Sequence, residues 1–112
     1  MEKIFEQGIL YDFYGELLTE HQQKIYEAAV YNDLSLGEIA EEQGISRQGV
    51  HDLIKRCDRI LADYESKLHL VERFSSTKRM AQEIIELAEH GGETEETLRE
   101  IVRLGRELLE EL

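Results

Sequence analysis

The sequence predicts an all-α protein, and three features support this class. None of the 112 residues is proline, which would interrupt helices, and only eight are glycine. Glutamate alone supplies 20 residues, and charged residues make up 34% of the chain, as expected for solvated helix faces. Apolar residues recur every three or four positions along most of the sequence, which is the period of an amphipathic helix.

The length and the composition also limit the class of protein. A chain of 112 residues can form one compact domain with an appended helical arm, but it is too short for a typical two-domain enzyme. Its apolar runs fall well short of the about 20 residues that a membrane span needs, and its first residues lack a secretory signal pattern. A single cysteine, Cys57, cannot form an internal disulfide. We therefore expect a cytoplasmic protein that has no disulfide and is not bound to a membrane.

Two helices are predicted in the first third of the chain. Apolar and aromatic residues at helical spacing predict a first helix over residues 6–18. Its expected inner face consists of Leu10, Phe13, Tyr14, Leu17 and Leu18. Thr19 followed three positions later by Gln22 matches a capping box, so a second helix is expected to begin there and to end near Asn32.

Residues 36–57 have the pattern of a helix-turn-helix. Ser35 and Glu38 form a second capping-box pair, and Gly44 supplies a residue that tolerates the left-handed conformation of a tight turn. Ala40 is small enough for two crossing helices to touch, and Ser46 can cap a long helix that is expected to reach about residue 70. The apolar residues that seal the angle between the helices are Ile39, Ile45, Val50 and Leu53.

The charge distribution gives two opposing indications about partners. The net charge of −12 weighs against nucleic acid, because neutralising phosphates supplies much of such binding. The acidic residues are concentrated toward the two ends, whereas residues 46–59 carry a local charge of +2. One short basic segment in an acidic chain could therefore face an anion.

That basic segment contains the predicted nucleic-acid-binding residues. If the second helix enters a major groove, Arg47 and Gln48 can reach guanine and adenine edges, and Ser46 can contact a phosphate. Asp52 opposes such binding unless it accepts from a cytosine amino group or pairs with Arg56. A solvated helix start or a protein-binding surface remains the alternative. The complete predicted set is Ser46, Arg47, Gln48, His51, Asp52, Lys55, Arg56 and Arg59.

The C-terminal segment, residues 73–112, is predicted to be a separate acidic helical arm after a domain at 1–72. A helix start or kink is expected at Ser75, a helix end at Gly91 and a new helix after Thr94. The apolar stripe of the last helix can fold back on the preceding helix or pair with a second copy, and we expect a homodimer. The predicted dimerisation residues are Leu98, Ile101, Val102, Gly105, Leu108 and Leu112.

The sequence lacks the motifs of an enzyme. It contains no glycine-rich phosphate loop, no Cys/His cluster with metal-ligand spacing and no nucleophile signature. Cys57 falls on the apolar stripe of its helix, which predicts a buried and inert thiol. We therefore expect a non-enzymatic protein that holds no cofactor and no metal.

Three motifs in order resemble the YlxM family. They are YDFYGELLTEHQ (residues 11–22), SLGEIAEE with SRQGVHD (35–42 and 46–52) and DYESKLHL (63–70). Members of that family are small bacterial helix-turn-helix proteins encoded beside the GTPase of the signal recognition particle. The resemblance implies a regulatory or accessory role in that pathway. More distantly, residues 18–56 are similar to region 4 of sigma-70-type factors, which implies base contacts by Ser46, Arg47, Gln48 and His51.

The predicted function is that of a DNA-binding regulator. The alternative is an adaptor that binds the particle's GTPase or its RNA without reading DNA, through its acidic ends.

Overall fold

A computed structural model of the chain describes residues 2–112, and in that range the protein is all-α, as predicted. The described residues form six α-helices and one short 3-10 turn, Gly15–Leu17. None of the helices formed by these residues has the length and apolar character needed to cross a bilayer. The helices are α1 (Glu2–Tyr14), α2 (Glu20–Val30), α3 (Leu36–Gln43), α4 (Arg47–Leu68), α5 (Leu70–His90) and α6 (Glu95–Glu111).

The chain divides into two compact units. The first, here called the head, is described over residues 2–69 and contains α1 to α4. The second, here called the hairpin, is Leu70–Leu112 and consists of α5 and α6.

Helix α4 is the centre of the head. It packs against α1, α2 and α3, and its residues Val50, Cys57 and Leu61 are fully buried. This face repeats every three or four residues, so one stripe of α4 contacts all three neighbouring helices. The core around its N-terminal half is formed by Ile25, Ala28, Ile39, Ala40 and Val50.

The predicted helix caps of the head are confirmed. The Thr19 hydroxyl accepts a hydrogen bond from the Gln22 amide, and the Gln22 side chain accepts one from the Thr19 amide. Ser35 and Glu38 form the same reciprocal pair. Each box satisfies two backbone amides at a helix start, so the sequence alone defines where α2 and α3 begin.

The first helix differs from the prediction at both ends. It begins at Glu2 and ends at Tyr14, where the 3-10 turn replaces the last predicted turn. The ring of Tyr11 lies across Gly15, so close that a Cβ on Gly15 would be 2.8 Å from it. Tyr14 and Leu18 are buried and Leu10 is half-buried, whereas Phe13 and Leu17 are exposed, contrary to the predicted inner face.

The boundary between α4 and α5 also differs from the prediction. Helix α4 ends at Leu68 because His69 adopts the left-handed conformation, with φ of 55°, and its amide donates to the Glu65 carbonyl. Helix α5 then begins at Leu70 and passes through Ser75 without a break. The predicted helix start or kink at Ser75 is therefore wrong.

The hairpin divides the apolar stripe of α6 between two sides. Leu104, which was not in the predicted dimerisation set, is buried, and Ile101 and Leu108 are half-buried on the same side of the helix. Leu98, Val102 and Leu112 of that set remain exposed. Because α5 and α6 pack together, one part of the stripe folds back within the chain and the other part does not.

Two tyrosines of the head hold carboxylates of α4. The Tyr26 hydroxyl donates to Asp58 at 2.6 Å, and the Tyr14 hydroxyl donates to Glu65 at 2.5 Å. Burial, together with the Asp58 carboxylate, raises the pKa of Tyr26. These bonds connect α1 and α2 to the side of α4 that faces them.

We expect Tyr26→Phe to lower the free energy of unfolding by about 2 kcal/mol, because it removes a hydrogen bond between a buried hydroxyl and a carboxylate. Urea denaturation followed by circular dichroism measures this change. Tyr31→Phe is the matched control, since its hydroxyl donates to Asp12 at an exposed position, and we expect a loss below about 1 kcal/mol there. Equal losses of unfolding free energy in the two variants would contradict the larger contribution expected of the buried Tyr26–Asp58 hydrogen bond.

Cys57 is fully buried, as its position on the apolar stripe predicts. Burial, followed by the nearby Asp58 carboxylate, raises the pKa of the Cys57 thiol to about 11. The reactive thiolate is therefore scarce at neutral pH.

We expect an aromatic disulfide reagent at pH 8 to modify Cys57 at least about 100-fold more slowly in the native protein than in urea. The raised pKa alone reduces the thiolate population by roughly that factor, and burial adds to it. The release of the coloured thiolate measures both rates. A native rate close to the unfolded rate would show that the thiol is accessible.

Candidate nucleic-acid interface

Helices α3 and α4 are joined by a tight turn that sets the orientation of the start of α4 relative to α3. Gly44 adopts the left-handed conformation, with φ of 66°, and its amide and that of Ile45 both donate to the Ala40 carbonyl. The hydroxyl of Ser46 then accepts from the Gly49 amide at 2.9 Å and caps α4. This turn was predicted from the sequence, since each conformation is set by residues no more than five positions apart.

The start of α4 differs from the other helix starts in its charge. The first turns of α2, α3, α5 and α6 each contain at least one acidic residue, whereas the first turn of α4 contains none. Its cap, Ser46, is a neutral hydroxyl, as are the caps of α2, α3 and α6. The positive end of the helix dipole is therefore not offset by a carboxylate in that turn, which favours an anion at this position.

The predicted site residues all lie on the exposed side of the head. Gln48, Asp52, Lys55 and Arg59 follow one another at intervals of four, three and four residues, so they form one line along α4. Arg47 and His51 flank this line on one side, and Arg56 flanks it on the other. Every one of these side chains, and that of Ser46, is exposed.

Arg47 lies over the first turn of α3. A Cβ built on Gly37 would be 2.9 Å from the Arg47 Nη2 atom, so the guanidinium occupies the space that a side chain at residue 37 would take. The absence of a side chain at Gly37 thereby leaves room for the Arg47 guanidinium over α3. The sequence analysis did not include Gly37 in the site, because the contact connects two helices and leaves no local signal.

Asp52 is engaged by its own helix. The Gln48 Nε2 atom donates to the Asp52 Oδ1 atom at 2.9 Å, and the His51 Nδ1 atom lies 3.6 Å from the same oxygen. The sequence left two roles open for Asp52, namely accepting from a cytosine amino group or pairing with Arg56. Among the described residues, Asp52 contacts Gln48 and His51 and forms no ion pair with Arg56. The carboxylate instead connects two of the predicted base-facing side chains.

Two further features adjoin the line of exposed residues. The Lys3 ammonium lies beside that of Lys55 and lowers the pKa of Lys55, because two like charges are close together. On the opposite side, a groove of about 330 Å³ separates the start of α2 from α4. Thr19, His21 and Gln22 line it together with Gly49, Asp52, Leu53 and Arg56. His21 and Lys3 were absent from the predicted set, since both are brought to α4 by the fold.

These features define a helix-turn-helix protein, with α4 as the exposed second helix. Residues 1–101 match the family model described as "Putative helix-turn-helix protein, YlxM / p13 like", UPF0122. The chain belongs to this family.

Several relatives carry the name UPF0122 protein. The one from Desulforamulus reducens is 41% identical, with 98% of this chain and 96% of the relative covered. The one from Acetivibrio thermocellus is 51% identical, with 76% and 73% covered. The one from Bacillus thuringiensis is 38% identical, with 91% and 93% covered.

Proposed function

We propose that this protein is a DNA-binding regulator that inserts the first turns of α4 into the major groove. Arg47, Gln48 and His51 are the base-facing residues in this proposal. Lys55, Arg56 and Arg59 contact flanking phosphates, as does the Ser46 cap. Asp52 holds Gln48 and His51 in the free protein and can accept from a cytosine amino group when Gln48 turns toward a base.

The observation that carries the proposal is the charge at the start of α4. In a chain of net charge −12, α4 differs from the described helices α2, α3, α5 and α6 in having no acidic residue in its first turn, and its exposed side carries four cationic side chains. Phosphates are favoured at the positive end of the helix dipole and pair with the adjacent cations.

The first test is selection of binding sequences from a random duplex pool with the full chain, followed by salt titration on the enriched site. We expect the logarithm of the affinity to fall linearly with the logarithm of salt concentration, since each phosphate contact releases counterions. Arg47→Ala and Gln48→Ala should each weaken binding to the enriched site by about 10-fold and relax the preference at one base pair.

Matched controls for these two variants lie in the hairpin. Arg79→Ala and Gln82→Ala remove the same side chains at exposed positions of α5, outside the proposed site. They should leave the affinity within about 2-fold of the unmodified chain, as expected for exposed substitutions away from the contact. Absence of an enriched site, or equal losses in site and control variants, would contradict DNA reading.

A second prediction concerns Gly37. We expect Gly37→Ala to weaken binding to the enriched DNA site several-fold while the free energy of unfolding stays within about 1 kcal/mol, because Ala suits a helix and only the flexible end of Arg47 must move. Fluorescence anisotropy and urea denaturation measure the two quantities. Gly8→Ala in α1 is the control, since a Cβ there meets no atom closer than 3.9 Å. Equal affinities of both variants would show that Gly37 does not position Arg47.

The alternative is the adaptor implied by the family resemblance, which binds the GTPase of the signal recognition particle or its RNA. Its support is the acidity of the chain outside residues 46–59, which suits a basic protein surface. The same titration separates the two functions. An adaptor should show no enriched DNA site but should bind the purified GTPase or the particle RNA, and Arg47→Ala should leave binding to the GTPase unchanged.

A further inference from the structure

The groove between the start of α2 and α4, here called the α2–α4 groove, lies on the side of α4 away from Arg47. Gly49 of α4 lines this groove, whereas Arg47 lies over the first turn of α3. Successive residues of an α-helix are about 100° apart, so Arg47 and Gly49 are on opposite sides of Gln48. The exposed line of α4 therefore has α3 on one flank and the α2–α4 groove on the other.

The α2–α4 groove has room for part of a nucleotide. Its volume is about 330 Å³. One water molecule takes up about 30 Å³ in the liquid, so the groove can receive roughly ten non-hydrogen atoms, enough for a phosphate group and part of its sugar. The three atoms nearest to a Cβ built on Gly49 belong to Ser46 and Ile45, so α2 does not fill the space in front of this glycine. Leu53 is half-buried beside it and adds an apolar surface.

Two hydrogen-bond donors face the α2–α4 groove from different helices. Arg56 lines it from α4 and His21 lines it from α2, and both side chains are exposed. Neither is engaged by a carboxylate in the ion pairs of the described residues. A guanidinium and an imidazole both donate hydrogen bonds to phosphate oxygens. The groove thus offers donors from two sides to one anionic group.

The acidic residues near the groove restrict where an anion can lie. Asp52 also lines the groove, but its Oδ1 atom accepts from the Gln48 Nε2 atom and lies beside His51. A phosphate is therefore expected toward Arg56 and His21. Glu20 is in the first turn of α2 and offsets the helix dipole there. The attraction for an anion comes from the two side chains and not from the end of α2.

We propose that the α2–α4 groove receives the sugar–phosphate backbone of one DNA strand while the first turns of α4 lie in the major groove. A phosphate backbone borders the major groove on each side, so an inserted helix has one backbone on each flank. Arg56 and His21 donate to the same phosphate, and Gly49 and Leu53 face its sugar. The role of the groove rests on the proposed DNA binding, and it adds α2 to the elements that contact DNA.

The first measurement compares the enriched duplex with a random duplex of the same length by fluorescence anisotropy of the full chain. Arg56→Ala should weaken binding to both duplexes by about 10-fold and lower the salt slope by about one, and His21→Ala should weaken both by about 3-fold. Neither variant should change the preferred bases, because phosphates carry no sequence information. Arg79→Ala and His90→Ala are the matched controls, since both side chains are exposed on α5.

The second measurement blocks the groove without changing any charge. Gly49→Leu should weaken binding to both duplexes by at least about 5-fold, because the added side chain occupies the space of the sugar. Gly49→Ala is the matched control. Its Cβ makes the same contact with Ser46, at 3.1 Å from the Oγ atom, but leaves most of the groove open. Urea denaturation verifies that both variants are folded.

The third measurement locates the contact on the DNA. Single phosphates of the duplex are replaced in turn by neutral methylphosphonates, and we expect the unmodified chain to lose about 10-fold in affinity at one phosphate that flanks the site. In Arg56→Ala and His21→Ala the same replacement should cost less than about 3-fold, because the contact is already missing. Additive losses would place both residues away from that phosphate and overturn the proposal.

The results also separate this proposal from DNA reading. If an enriched site exists but Arg56→Ala and His21→Ala bind it with unchanged affinity and salt slope, the role of the groove is overturned and DNA reading stands. If no site is enriched but both variants bind the random duplex more weakly, DNA reading is overturned and the role of the groove stands. A chain that binds neither duplex would overturn both.

Discussion

The burial of one stripe of α4 is the constraint on which the head depends. Val50, Cys57 and Leu61 are fully enclosed, and the other three helices of the head all pack against this stripe. A helix whose buried side is fixed in this way has no freedom to rotate, because rotation would expose the core and bury charged residues. The line from Gln48 to Arg59 therefore faces solvent as a direct consequence of core packing.

The distribution of charge around α4 follows from the same packing. Asp58 and Glu65 belong to α4, but the hydroxyls of Tyr26 and Tyr14 hold them on the side that faces α1 and α2. Two of the four acidic residues of the helix are thereby separated from its cationic side, whereas Asp52 and Asp63 are exposed on that side. A chain that is acidic as a whole can still present a local surface suited to an anion. Net charge is for this reason a weak guide to the partner of a small helical domain.

The hairpin illustrates how one helix can carry two apolar stripes with different roles. Leu104 and its neighbours complete the contact with α5, whereas Leu98, Val102 and Leu109 are left over after that contact is made. Two helices can bury only the facing stripe of each other, so the rest of a wider apolar surface stays exposed in the hairpin.

The sequence by itself determined the features that depend on neighbouring residues. The capping boxes at Thr19 and Ser35, the left-handed Gly44 and the Ser46 cap each involve groups within five residues, so their pattern is visible in the chain. Only the tertiary structure decided the end of α1 beside the Tyr11 ring, the division of the α6 stripe, and the position of Arg47 over Gly37. These depend on which side chains come together in space. Periodicity locates an apolar face but does not say which part of that face a neighbouring helix will cover.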